Sequence, residues 1–387
     1  MSKAMTSSFP WMVAALAVAL AGTQARAQDV LVRAAKVVVS PEVVLDDGEL
    51  LVRGGKVAYV GSEIPAEARQ RATKMEWPTA TVAPGMVVAF GWLGQEEQLG
   101  ERATAFTPEL RAADGFDPTT EAVRRLPHEG VTSHGLAPSS RNVVAGIGAL
   151  VKPAGEFATV PADDLFLHLS VVKQARDQER WPTSIMGAAD LLRSTFKAAA
   201  NPVSGDTRLR PFREAMQGQR TVFIHANTLN ELTVALEACA QAGIAPVVVG
   251  ATEAGKCIES LKAARARVVL GTASPDARLA QLQLPAQLEA AGIPFALAGD
   301  PTTLRWSAAM AVRHGASRRA ALAALTRVPA EMLGMQERVG SLRAGCDADF
   351  AVWSGDPVEL TSELLAVHVD GTERHRKDSA AAAKENN

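Results

Sequence analysis

The chain has 387 residues, 47% of them hydrophobic and 21% charged, with a formal net charge of −2. That length suits one large domain or a barrel with a smaller companion, and the apolar fraction is ample for a sizeable core. The near balance of charge gives no electrostatic basis for binding nucleic acid or an anionic membrane surface.

At the N-terminus, Lys3 precedes the apolar run WMVAALAVALAG and the small-residue pattern Ala25-Arg26-Ala27. Charge, short apolar stretch and cleavage pattern in that order describe a secretory signal peptide over residues 1–27. The run is short for a bilayer span, so export to the periplasm or medium is expected, with no membrane attachment after cleavage. The three cysteines, Cys239, Cys257 and Cys346, are too few and too widely spaced for a zinc cluster or a disulfide framework. Cys239 falls within the helical pattern ELTVALEACAQAG and is expected to pack in the core.

From residue 28 to 82 short β-rich runs are broken by turns: VLVRAAKVVVS, GELLVRGG and KVAYVGS, with Asp47-Gly48 and Gly54-Gly55 as turn signals. Similar material returns in VGSLRAG, DADFAVWSGDP and LLAVHVDGTERH. A small β-sandwich built from both chain ends, 28–82 and 338–376, is therefore expected. Between them, over 83–337, apolar runs such as GVTSHGLAP, LFLHLSV, TVFIHAN, APVVVGA, ARVVLGT and IPFALAGD alternate with helical stretches. That alternation predicts an α/β architecture, a (β/α)8 TIM-like barrel in preference to an open sheet. Ser317 is placed to cap the helix RRAALAALTRV. Residues 377–387 are expected to be a disordered tail.

In such a barrel the reactive groups belong at the C-terminal ends of the strands. The positions to watch are Phe90 and Trp92, His134, His225, Gly250 and Asp300. His168 alternates with leucines in LFLHLS and is expected to be a core or helix-facing residue. Surface or capping roles are expected for His128, His314, His368 and His375.

The combination of APGMVVAFGWLG, FIHANTLNELTVALEACAQAGI, VVVGATEAGK, FALAGDP and RVGSLRAGCDADFAVWSGDPVEL resembles the amidohydrolase superfamily, especially its imidazolonepropionase-like members. The resemblance covers nearly all of the chain beyond residue 27. It implies a metal-assisted hydrolase of carbon–nitrogen bonds other than peptide bonds. It also implies an H-x-H pair on the first barrel strand, histidines after the fifth and sixth, and an aspartate after the eighth. Residues i and i+2 of a strand point the same way, which is why that pair is spaced by two.

Matched position by position, the chain keeps His225 in FIHAN and Asp300 in LAGDP. Phe90 and Trp92 stand where the first-strand histidines belong, and Gly250 stands where the sixth-strand histidine belongs. Lys152, in ALVKP, is a candidate for a metal-bridging lysine. Phenylalanine has no lone pair and an indole N–H only donates, whereas a catalytic zinc site needs three protein ligands.

The expectation is thus an exported amidohydrolase-like protein whose metal site is largely lost and which needs no cofactor, a pseudoenzyme or partner subunit. Its partners would be a small-molecule ligand and an intact amidohydrolase paralogue or a second copy of itself. The alternatives are an active hydrolase with a rearranged or single-metal zinc site that includes His225 and Asp300, with His134 and Lys152 as further candidates, or a binding protein using the old pocket. Without the ion, His225 and Asp300 are expected to bond each other.

Overall fold

The computed structural model describes residues 29–377 apart from 177, 178, 203 and 275. The expected signal peptide and the tail from 378 onward lie outside the described residues. Two eight-stranded sheets organise the molecule. The first contains β1 (Val30–Ser40), β2 (Val43–Asp46), β3 (Glu49–Arg53), β4 (Lys56–Gly61) and β5 (Thr73–Pro84). From the far end of the chain it takes β14 (Phe350–Trp353), β15 (Leu364–Val369) and β16 (Thr372–Arg376). Antiparallel β5–β14 pairing, with Val82 opposite Val352, joins the two ends. Strand alternation gives this sheet two apolar faces. Val32, Leu50, Val82 and Phe350 share one core, and Leu31, Leu51 and Ile64 form another.

The second sheet is the barrel. It runs in chain order through β6 (Met86–Gly91), β7 (Val131–Leu136), β8 (Val144–Pro153), β9 (Ala158–Ser170), β10 (Thr221–Ala226), β11 (Val247–Gly250), β12 (Arg267–Leu270) and β13 (Phe295–Leu297). The last strand comes back beside the first, so the barrel is nearly closed. Helices such as Ile185–Ala200, Leu229–Gln241 and Leu304–Arg313 lie between or after strands. Thr228 and Glu231 form a capping box at one helix start, and Ser317 caps Arg318–Leu325 as its sequence predicts.

One strand departs from the expected alternation. β8 pairs antiparallel with both β7 and β9. Only residues 137–143 separate it from β7, and 154–157 from β9, too few for the crossover that a parallel strand requires. The consequence is directional: Lys152 lies towards the end of the barrel where the parallel strands begin, away from their C-terminal ends.

At that end the β domain and the barrel lock together. Lys152 is 1% exposed, and its Nζ lies 3.0 Å from Asp347 Oδ2, 2.9 Å from Asp349 Oδ2 and 2.5 Å from Asp370 Oδ1. Lys56 also pairs with Asp347, and Arg338 Nη2 reaches Asp347 Oδ2 at 3.0 Å. Three cations therefore meet three carboxylates. Burial works against the Lys152 charge, but Asp349 and Asp370 outweigh it and hold the ammonium above its ordinary pKa. Burial also pushes Asp349 up to about 6, against the pull of Lys152. The expected bridging role for Lys152 is corrected here: its side chain belongs to this domain junction. Gly85 completes the junction between β5 and β6. Its N–H donates to the Asp349 carbonyl at 3.0 Å, and a Cβ there would stand 2.2 Å from the Thr132 side chain.

Replacing Lys152 by Met leaves Asp347 and Asp349 buried without their shared cation, and the expected loss is about 3–5 kcal/mol of stability. Asp370→Asn, at a half-exposed carboxylate, is expected to cost far less. Denaturant unfolding of the two variants checks the order, and equal losses would contradict this account of the junction.

Candidate functional site

A cavity of about 710 Å³ opens among the C-terminal strand ends and reaches the helical segment between β6 and β7. Its apolar wall includes Phe90, Trp92, Val249, Val269 and Ala298. Its polar lining includes His134, His225, Asp300, Glu96, Glu97, Glu129 and Arg125. Most of the residues singled out from sequence therefore meet in one place: Phe90, Trp92, His134, His225, Gly250 and Asp300. Lys152 does not.

Phe90, at the end of β6, is the centre of an aromatic cluster. Its ring packs edge-on against His168 at 4.8 Å and Trp92 at 5.5 Å, and lies 6.3 Å from the His225 ring. Phe223 stacks against it from below at 6.1 Å. Trp92 donates its indole N–H to the Pro138 carbonyl at 3.1 Å. His168 is fully buried beside Phe90, with Nδ1 at 2.9 Å from the same carbonyl and Nε2 without a partner. It thus belongs to this aromatic group rather than to a helix-facing layer.

His225 ends β10. Its Nδ1 shares a 2.7 Å hydrogen bond with Ser140 Oγ, and Asn227 Nδ2 lies 3.5 Å from Nε2. Asp300 is exposed and caps its own 3-10 turn, accepting from Thr302 N at 3.0 Å and Thr302 Oγ1 at 2.8 Å. The expected His225–Asp300 bond is therefore corrected: the two share a cavity, and each has a nearer partner. Gly250 has φ +85, and a Cβ there would fall 2.1 Å from Asn227 Oδ1 and 2.9 Å from His225 Nε2. The absence of a side chain at 250 is what leaves room for His225 and Asn227.

Ser140, Asn227, Glu96, Glu97 and Glu129 were not among the residues singled out from sequence. Asn227 carried a signal, since it follows His225 by two, and Glu96 and Glu97 follow the end of β6. Ser140 carried none. Elsewhere, His314 is the C-cap of its helix and the His128 ring lies tilted against His375 at 4.6 Å. His368 is buried and stacked on Phe350 at 4.4 Å, a correction to its expected surface role. The three cysteines are free, and Cys239 is buried as expected.

Burial lowers His134 and His168 to about 3, the latter with help from His225, and lowers His225 to about 4 against the pull of Glu231. All three rings are neutral at pH 7. Because these folded values lie below the ordinary 6.5, the unfolded chain takes up protons that the folded chain refuses as pH falls. Stability present above pH 6.5 is lost on acidification, by about 1.4 kcal/mol per pH unit for each fully buried ring. Asp349 acts in the opposite sense between about 6 and 3.8, one group against these three rings and His368, which burial also lowers to about 4. Melting temperature is therefore expected to fall from pH 6.5 to 4.5, with the His134 and His168 ring signals in NMR spectra still neutral. Titration of the His134 or His168 ring near 6.5 would refute the assignment.

The Amidohydrolase family model matches residues 157–374. The chain is 24% identical to the amidohydrolase tasK of Hapsidospora irregularis over 84% of its own length, spanning 39% of that longer protein. It is 25% identical to the imidazolonepropionase of Xanthomonas oryzae pv. oryzae (strain PXO99A), covering 83% of this chain and 90% of that one. Among solved structures, the amidohydrolase from Thermotoga maritima MSB8 is 26% identical, with a TM-score of 0.79 over 90% of this chain and 100% of that one. With its nearly closed barrel, its β domain and its cavity at the strand ends, the chain belongs to the amidohydrolase superfamily as an imidazolonepropionase-like member.

Proposed function

We propose that this protein is an exported amidohydrolase relative that binds a small molecule in the barrel cavity and has given up metal-assisted hydrolysis. It acts as a binding or partner subunit, beside an intact paralogue or a second copy of itself. The observation that carries the reading is the mismatch between the donors and the divalent metal that the family usually uses. Phe90 offers no lone pair, and the Trp92 indole spends its one proton on Pro138. His225 Nδ1 is engaged by Ser140, and no side chain fits at Gly250. Among the described residues, no group of three or more histidine, cysteine, aspartate or glutamate side chains is placed to hold one ion. Three protein ligands and an open position are the usual minimum for a catalytic zinc. His225 and Asp300 fall short of that set.

A second reading has one observation in its favour. Ser140 holds His225 through Nδ1, and the ring, neutral at pH 7, lines the cavity as a base able to accept a proton. In this reading the protein remains a carbon–nitrogen hydrolase, and His225→Ala abolishes turnover while Ser140→Ala reduces it.

Purified protein equilibrated with zinc and desalted is expected to retain less than about 0.1 ion per chain. Stoichiometric zinc, with hydrolysis that a chelator abolishes, would overturn the primary reading. Export predicts that the chain recovered from cells begins at Gln28, and mature protein starting at Met1 would count against it.

A further inference from the structure

The cavity lining has a one-sided charge. Glu96, Glu97, Glu129 and Asp300 face it, and Arg125 is the single lysine or arginine among the lining residues. Glu97 is offset by Arg102 and Arg141, each 3.6 Å away. Among the described residues, the other three make no such ion pair. Glu96 accepts only from Ser139 Oγ at 3.3 Å, and Asp300 is bound within its own turn. Glu129 is half-buried and has no hydrogen bond or ion pair among the described residues. Burial pushes its carboxyl up and Asp300 adds to that push, so the two carboxylates feel each other, while Arg125, His128 and Arg305 pull the other way without forming an ion pair with it. An unbalanced negative field inside low-dielectric walls attracts a positive guest.

Two further features bear on the body of that guest. The wall beside the carboxylates is aromatic, with Phe90 and Trp92 both lining the cavity, and aromatic faces hold flat apolar groups and cations alike. His134 lines the same cavity at 1% exposure, and its Nε2 edge lies against Gly91 of the lining. That edge of the neutral ring has capacity for one hydrogen bond to a bound molecule.

We infer that the cavity takes a small organic cation with a flat apolar body, an arylalkylamine in its simplest form, with the ring against Phe90 and Trp92 and the charge towards Glu129 and Asp300. This rests on the reading of the cavity as a binding site and specifies its ligand class. Arg125 sets a limit on the guest: it leaves room for one polar or anionic substituent, while the net balance favours a positive whole.

Three probes of one shape test the charge: phenethylamine, phenethyl alcohol and phenylacetate, titrated by calorimetry into the purified protein. The amine is expected to bind about tenfold more tightly than the alcohol, with phenylacetate weakest. The preference is expected to shrink as salt rises. Glu129→Gln and Asp300→Asn are each expected to weaken the amine several-fold and leave the alcohol unchanged. Asp300 is exposed, so that variant keeps the test valid if the Glu129 variant fails to fold. Equal or tighter binding of the alcohol or phenylacetate, or binding of none of the three, overturns the inference. Alcohol binding without an amine preference would sink the ligand class while leaving the cavity a binding site, whereas stoichiometric zinc would sink the earlier reading instead.

Discussion

A lysine ammonium buried among carboxylates decides how the two halves of this molecule meet. Lys152 comes from barrel strand β8, while Asp347, Asp349 and Asp370 flank strands of the β domain. Lys152, Asp347 and Asp349 would each be costly to bury alone, and this docking arrangement pairs them. Apolar packing between the same surfaces tolerates small shifts, whereas an ammonium within 3.0 Å of three carboxylates does not. The junction therefore fixes position more than it adds net stability.

That constraint carries through to the cavity. β5 passes into β6 through Gly85, whose N–H is bound by the Asp349 carbonyl. The start of β6 is thus tied to the ion-pair network, and Phe90 sits near its other end. From there the aromatic cluster of Phe90, Trp92, His168 and Phe223 fills the space beneath His225. The cavity above keeps an apolar floor and an acidic lining. In this chain the family's scaffold carries a pocket lined by neutral imidazoles, aromatic faces and carboxylates.

Much of the fold is legible in the residues. The alternating runs mark β6, β7, β9 and the parallel strands that follow, and Ser317 marks a helix start that the structure reproduces. Five of the seven barrel pairings are parallel, as strand–helix alternation implies. β8 escaped because VAGIGALVKP is rich in small residues and glycine, a weak strand signal, and because strand direction is a property of the connections. Positions at strand ends were also legible. His134, His225, Gly250 and Asp300 converge because parallel strands present their last residues to one side of the sheet. His225 and Asp300 nonetheless take different partners, since Ser140 and Thr302 are nearer to hand.

The sequence by itself determined the architecture, the family and the residue types that stand at the strand ends, Phe90, Trp92, His225 and Gly250 among them. All of these are carried by local pattern and by residue type. Only the tertiary structure decided what Lys152 binds, because Asp347 is 195 positions away and no spacing rule spans that distance. It likewise decided that His168 joins the aromatic floor, that Ser140 holds His225, and that Glu129 and Asp300 line one cavity. Burial and pairing are set by which side chains the folded chain brings within a few ångströms, and sequence order does not encode those distances.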